Sequence, residues 1–318
     1  MEYRQLGRAG VRVSIIGLGT NRFGTDQLPQ AEVNKIIDAS LDLGINFIDA
    51  ANTYVRGRCE ETLGHALKGR RERFILATKA ALPVGDGPND RGASRYHLLQ
   101  AFDNSLRRLQ TDHIDLYYAH RWDDTTPIAE TLRALDDLLR LGKVCYVGAS
   151  EYASWQLAHA NLLAEVRGWT PFVVLQSRYN MLDRQVEREV LPYCHAHGVG
   201  FIPYHPLAGG FLTGKYKRGE PPPPGSRGAR DAARMRHYMT DAHYATVEAL
   251  TVWAAARGRG LNELAQAWLL AQPQICSVIS GATRLEHVLD NVKAASWSLS
   301  QIELAEVNTL LEQGRPSP

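Results

Sequence analysis

Eight times along this chain a short apolar run, rich in β-branched and aromatic residues, ends in a polar or glycine-bearing stretch and gives way to a helical pattern. The runs are VSIIGLGT, NFIDAA, FILATKA, IDLYYAH, VCYVGAS, FVVLQS, GFIPYH and CSVISGA. Between them lie segments such as AEVNKIIDASLDLG and IAETLRALDDLLRLG, with apolar residues at helical spacing and glycine near their ends. Near-continuous apolar strands are buried on both faces, which is the habit of parallel sheets. Eight strands alternating with helices predict a (β/α)8 TIM barrel. The 318 residues, 44% hydrophobic and 22% charged, suit one barrel domain spanning 1–318.

Three segments stand outside the repeat. Residues 3–13, YRQLGRAGVRV, read as a β-hairpin turning at Ala9-Gly10 that plugs the bottom of the barrel. Residues 206–240, after the seventh strand, hold a proline- and arginine-rich insertion whose four successive prolines forbid helix, so a lid or a mobile loop is expected there. Residues 300–313 read as a last helix capped by Ser300. A net charge of +2 gives no electrostatic ground for binding nucleic acid or an anionic membrane. The first residues lack the apolar core of a signal peptide and no apolar run reaches about 18 residues, so a cytoplasmic protein without membrane partners is expected. Cys59, Cys145, Cys194 and Cys276 form no CxxC pair, and CHAH at Cys194–His197 lacks a second set of ligands, so no metal site is expected.

Chemistry in such a barrel sits where strands end. The ends of strands two to four carry Asp49 and Tyr54, Lys79, and His120. Each alone has a plain structural role: a cap, a rim aromatic, a strand-end cation and a core histidine. Together they present ionisable groups from three consecutive strands to one mouth. A buried carboxylate needs a partner, and Lys79 on the neighbouring strand supplies one for Asp49. The ammonium would lower the phenol's pKa from about 10, letting Tyr54 donate a proton to a carbonyl oxygen while His120 orients it. A Schiff-base lysine is the competing use of Lys79. GLGTNRFG has arginine where a dinucleotide fingerprint needs its third glycine, which disfavours a Rossmann site. Phosphates are expected instead at the loops after strands seven and eight, where SGATRLEHVLDN places small residues and Arg284 at a helix start. Phe23, Tyr54 and Trp122 suggest an aromatic rim for substrate.

The segments GINFIDAANTY, FILATKA, SLRRLQTDHIDLYYAHRWD, VGASEY, VLQSRYNML, YHPLAGGFLTGKY and SGATRLEHVLDN resemble the successive signatures of the aldo-keto reductase superfamily. The start, YRQLGRAGVRVSIIGLGT, is similar to the branch holding the voltage-gated potassium channel β-subunits and many microbial reductases. The resemblance runs from residue 3 to about 295. It implies a barrel binding NADPH in extended form, with NADH as the second candidate, and a small carbonyl or alcohol substrate. Tyr54 would be the general acid, tuned by Lys79 and Asp49, with His120 beside the carbonyl. Gly19, Thr20 and Asn21 would line the nicotinamide side, Ser150 and Gln176 would hold its carboxamide, and Tyr204 would stack on the ring. The segment from His205 through Pro206, Leu207 and Gly209 to Lys215 would follow the pyrophosphate, with Arg227 reaching the adenosine phosphate. Ser280, Gly281, Thr283, His287, Asp290 and Asn291 would surround the adenosine. Glu151, His205, Ser280 and His287 depart from the common pattern, the last replacing a frequent cofactor-binding arginine. The channel β-subunits offer another outcome, a cofactor-holding regulatory module; in that resemblance they carry asparagine where this chain has His120.

Overall fold

The computed structural model describes residues 1–313. A short antiparallel hairpin, β1 (Tyr3–Gln5) and β2 (Arg12–Ser14), precedes eight parallel strands: β3 (Ile16–Gly19), β4 (Phe47–Asp49), β5 (Ile75–Ala80), β6 (Ile114–Ala119), β7 (Val144–Ser150), β8 (Val174–Arg178), β9 (Gly200–Tyr204) and β10 (Val278–Gly281). They pair in the order β10-β3-β4-β5-β6-β7-β8-β9. The ring closes where Phe201 bridges Ile275, with Phe201 N–H donating to Gln274 O at 2.9 Å and Cys276 N–H donating to Phe201 O at 3.0 Å. This is the (β/α)8 barrel that the alternating sequence predicts.

The helices on the outside are α1 (Gln30–Asp42), α2 (Arg58–Ala66), α3 (Arg95–Leu109), α4 (Ile128–Arg140), α5 (Ser154–Arg167) and α6 (Val190–Ala196). In the second half come α7 (Arg227–Arg230), α8 (Ala232–Met235), α9 (Asp241–Ala255), α10 (Leu261–Leu270), α11 (Leu285–Ala294) and α12 (Gln301–Gln313). Ser300 and Glu303 close a capping box at the start of α12, each side chain accepting from the other's backbone N–H.

The barrel interior is filled by inward residues of the strands, including Phe47, Leu116, Tyr118, Val174 and Ile202, and the hairpin contributes Leu6, Ala9 and Val13 to the same cluster. The hairpin therefore closes the bottom of the barrel. Its turn begins at Gly7-Arg8, with Ala9 N–H donating to Leu6 O at 3.0 Å, two residues before the expected Ala9-Gly10. Gly7 has φ +56° and no room for a side chain, since a Cβ there would lie 2.2 Å from Val173 O.

Residues 206–240 combine irregular chain with short helical turns. Pro221–Pro224 stay non-helical, but Ser226 and Asp231 cap the two single-turn helices α7 and α8. Phe211 packs between Tyr216, Tyr238 and Tyr244, and the Tyr216 hydroxyl accepts from Gly228 N–H at 3.0 Å. Tyr238 donates to Asp183 on the loop after β8. Aromatic packing and these hydrogen bonds hold the segment over the barrel mouth, where the sequence reading expects a lid or a mobile loop.

Candidate active site

Parallel register sets the centre of the site. Gly19 pairs with Asp49, Asp49 with Ala77, and Lys79 with Tyr118, so the ends of β3 to β6 converge at one depth. Lys79 is fully buried, and its ammonium donates to Asp49 Oδ2 at 2.7 Å, to Ala50 O at 2.8 Å and to the Tyr54 hydroxyl at 3.4 Å. All three of its protons are engaged, which leaves no lone pair for a Schiff base. Asp49 Oδ1 accepts from Gln176 Nε2 at 2.8 Å, so both carboxylate oxygens are paired as well. The pairing compensates a carboxylate that is only 2% exposed.

Tyr54 opens a short turn, Tyr54–Gly57, in which Val55 and Arg56 hold left-handed φ values of 49° and 56°. Such strain in two non-glycine residues costs roughly 1–3 kcal/mol each and persists where surrounding structure dictates it. The backbone is pinned by Asn52 N–H donating to Lys79 O at 3.1 Å and Tyr54 N–H donating to Ala51 O at 3.1 Å. His120 follows β6, its ring 6.1 Å from that of Tyr54 in an edge-on arrangement. Its Nδ1 is buried without a hydrogen-bond partner among the described residues.

Electrostatics differ from the sequence expectation in one respect. Burial, then the charge of Asp49, pushes the Tyr54 phenol well above its ordinary value, although Lys79 lies beside it. The phenol thus holds its proton at any physiological pH. Burial lowers Lys79 while Asp49 opposes the change. His120 is held well below the usual histidine range by burial and then by Lys79 and Arg121, so its imidazole is neutral.

From this centre a cleft of about 960 Å³ runs across the mouth to the start of α11. Its near wall includes Gly19, Thr20 and Asn21 after β3, Ser150 at the end of β7, and Gln176 on β8. The middle is formed by Tyr204, His205, Pro206, Leu207 and Gly209, with Lys215 and Arg227 above them. Gly209 and Gly210 make room for these cations: a Cβ on Gly209 would meet Arg227 Cδ at 3.2 Å and Met235 Sδ at 2.7 Å, and one on Gly210 would meet Lys215 Nζ at 2.9 Å. The far end holds Ser280, Gly281, Thr283, Arg284, His287 and Asn291. Ser280 faces away through its side chain, donating to Gln266 Oε1 at 2.6 Å, and offers the cleft only backbone.

Three expected residues lie elsewhere. Phe23 is 0% exposed, because Phe23 N–H closes a turn onto Thr20 O at 2.8 Å and sends the ring into the core between barrel and helices; it is not a substrate-rim residue. Trp122 packs edge-on against Tyr152 at 5.2 Å and Trp155 at 5.6 Å and is not among the residues lining the cleft. Asp290 is exposed on α11 and is not part of the wall. Conversely, Arg22, Arg121, Arg178, Arg230 and Arg234 line the cleft without having been singled out. The arginine density of residues 206–240 was the available signal for the last two.

The His205 backbone is left-handed, φ 57°, and burial followed by the nearby Arg227 lowers its pKa to about 4. An unfolded histidine titrates near about 6.5, so as pH falls the unfolded chain takes the proton first. The stability this neutral ring contributes is complete above about pH 6.5 and lost progressively towards pH 4. His205→Asn keeps a side chain tolerant of that backbone. It should make the drop in Tm between about pH 7 and 4.5 smaller by a few degrees. An unchanged drop would show that His205 does not titrate with folding.

A barrel mouth that joins a protonated phenol, a buried ammonium and a neutral imidazole to a long cleft with a cationic far end has the layout of an enzyme of small-molecule redox chemistry. The chain belongs to the aldo/keto reductase family, whose profile matches residues 15–312. It is 38% identical to the uncharacterized oxidoreductase YrpG of Bacillus subtilis over 98% of this chain and 96% of that one. A probable voltage-gated potassium channel subunit beta of Oryza sativa is 36% identical over 92% of this chain and 91% of its own length. The L-glyceraldehyde 3-phosphate reductase of Escherichia coli is 34% identical over 99% of this chain and 93% of its own. The protein is therefore an oxidoreductase of carbonyl compounds, from a family that generally uses NAD(P)H. Among the described residues no helix is long and apolar enough to cross a membrane, and no cluster of side chains could hold a metal ion.

Proposed function

We propose that the protein reduces an aldehyde or ketone to an alcohol, or runs the reverse reaction, with NADPH and with Tyr54 as general acid. The observation that carries this reading is the Lys79–Asp49 ion pair set beneath the Tyr54 hydroxyl at the head of the cleft. NADPH, when bound, supplies a hydride. Tyr54 brings a phenol that is protonated before the reaction, and Lys79 stabilises the phenolate left when the proton moves to the carbonyl oxygen. His120, neutral and part of the cleft wall beside Tyr54, orients that oxygen. Gln176 fixes the Asp49 carboxylate, which in turn holds Lys79.

The cleft fits a dinucleotide. It is long, open at Gly281, where a Cβ would meet nothing nearer than 4.0 Å, and carries Lys215, Arg227 and Arg284 over its middle and far end. Guanidinium groups there favour a 2′-phosphate. Arg227→Ala should weaken NADPH binding by roughly 1.5–3 kcal/mol and barely change NADH, as read by titrating tryptophan fluorescence. Equal affinity of the parent for both cofactors would remove the preference for NADP.

A regulatory role without catalysis is the reading that the rice relative's name suggests. The complete set Asp49, Tyr54, Lys79 and His120 favours catalysis. Measuring NADPH and NADH oxidation against a panel of aldehydes, ketones and keto-sugars decides between them: turnover supports the enzyme, and cofactor binding without turnover on any of them supports the module.

A further inference from the structure

Arg22, Arg227, Arg230 and Arg234 line one stretch of the cleft from two separate parts of the chain. Arg22 follows β3, while the others belong to the cap folded from the insertion. Arg234 is paired with Asp231 at 3.2 Å, but among the described residues Arg22, Arg227 and Arg230 make no ion pair. Arg22 donates to Gln27 Oε1 at 3.1 Å, and Arg227 reaches only the His205 ring at 3.4 Å. Half-buried Arg22 and Arg227 feel the charge of Arg230, and Arg227 also that of Arg234 and Arg22, so the four groups lie within electrostatic reach of one another. Like charges drawn together over a cleft, with a single carboxylate among them, are held at a cost that a bound anion removes.

In the proposed placement the cofactor's phosphates engage Lys215, Arg227 and Arg284, and this leaves Arg22 and Arg230 over. Arg22 stands three residues beyond Gly19, which pairs with Asp49, and so it belongs to the end of the cleft where Tyr54 sits. We propose that Arg22 and Arg230, backed by Arg234, hold a phosphate group on the carbonyl substrate, making a phosphorylated aldehyde or ketone the preferred substrate. A phosphomonoester dianion offers oxygens for two guanidinium forks, and the cap that carries Arg230 covers the same mouth. This inference rests on the carbonyl-reductase reading above.

The test compares glyceraldehyde with glyceraldehyde 3-phosphate at saturating NADPH. The parent should show kcat/KM at least about tenfold higher for the phosphorylated aldehyde, and inorganic phosphate should compete with it. The Arg22→Gln/Arg230→Ala double variant should lose at least about tenfold more on the phosphorylated than on the neutral aldehyde, with NADPH affinity changed by less than about threefold. Equal losses on the two aldehydes would overturn the proposal. A matching loss of NADPH affinity would also overturn it, by assigning the two arginines to the cofactor. If the parent reduces neither aldehyde and nothing else in the carbonyl panel, the underlying reading fails instead.

Discussion

Replacing Tyr54 by phenylalanine is expected to lower kcat for aldehyde reduction by about 10²–10⁴-fold, the usual worth of a positioned general acid, while NADPH affinity stays nearly the same. The substitution removes one oxygen and little volume, and the ring keeps its edge-on contact with His120. Lys79 loses its longest hydrogen bond, 3.4 Å, and retains Asp49 and Ala50. The fold should therefore persist, with an unaltered circular dichroism spectrum and Tm within a few degrees. Steady-state assays beside cofactor titration check the outcome. A variant with more than about a tenth of the parent kcat would mean that another group delivers the proton.

Lys79→Met should be damaging in two ways at once. Methionine fills the space of the side chain, but Asp49 keeps only the Gln176 hydrogen bond on one oxygen and becomes a buried carboxylate without a counter-charge. Breaking a buried pair in this manner costs about 3–5 kcal/mol, against a total stability of about 5–15 kcal/mol for most domains. Activity should fall at least as far as in Tyr54→Phe, because a phenolate forming beside Asp49 has lost the ammonium next to it. Denaturant unfolding separates the effects. The double variant Asp49→Asn/Lys79→Met, which removes both charges, should regain most of the lost stability and none of the activity. If Lys79→Met alone unfolds within about 1 kcal/mol of the parent, the pair does not carry the energetic role assigned to it.

Much of this architecture was legible in the chain. Strands covered on both faces must be apolar throughout, so Asp49, Lys79 and His120 stood out as ionisable residues at the ends of apolar runs, and their strand order put them side by side. The small residues of SGATRLEHVLDN marked a stretch of the cleft wall, with open space at Gly281, where a Cβ would meet nothing nearer than 4.0 Å. Side-chain direction was less legible. Phe23 and Trp122 sit in loops at the mouth, where no periodicity tells inside from outside, and local turns sent one into the core and the other onto Tyr152. The proline run correctly ruled out helix at Pro221–Pro224, yet the folding of the insertion depends on Phe211, Tyr216, Tyr238 and Tyr244 meeting across up to 33 positions of sequence, a non-local contact that composition does not reveal. The raised phenol pKa has the same origin: sequence gave the ammonium near Tyr54, whereas the balance between that charge, Asp49 and complete burial is a property of three-dimensional distance.

The central claim is that the proton for the carbonyl oxygen comes from Tyr54 as the hydride arrives. Single-turnover oxidation of bound NADPH by a good aldehyde substrate, followed in the parent and in Tyr54→Phe, isolates that step from substrate binding and product release. The account predicts a transfer rate lower by about 10²-fold or more in the variant. A rate within a factor of about three of the parent would contradict it.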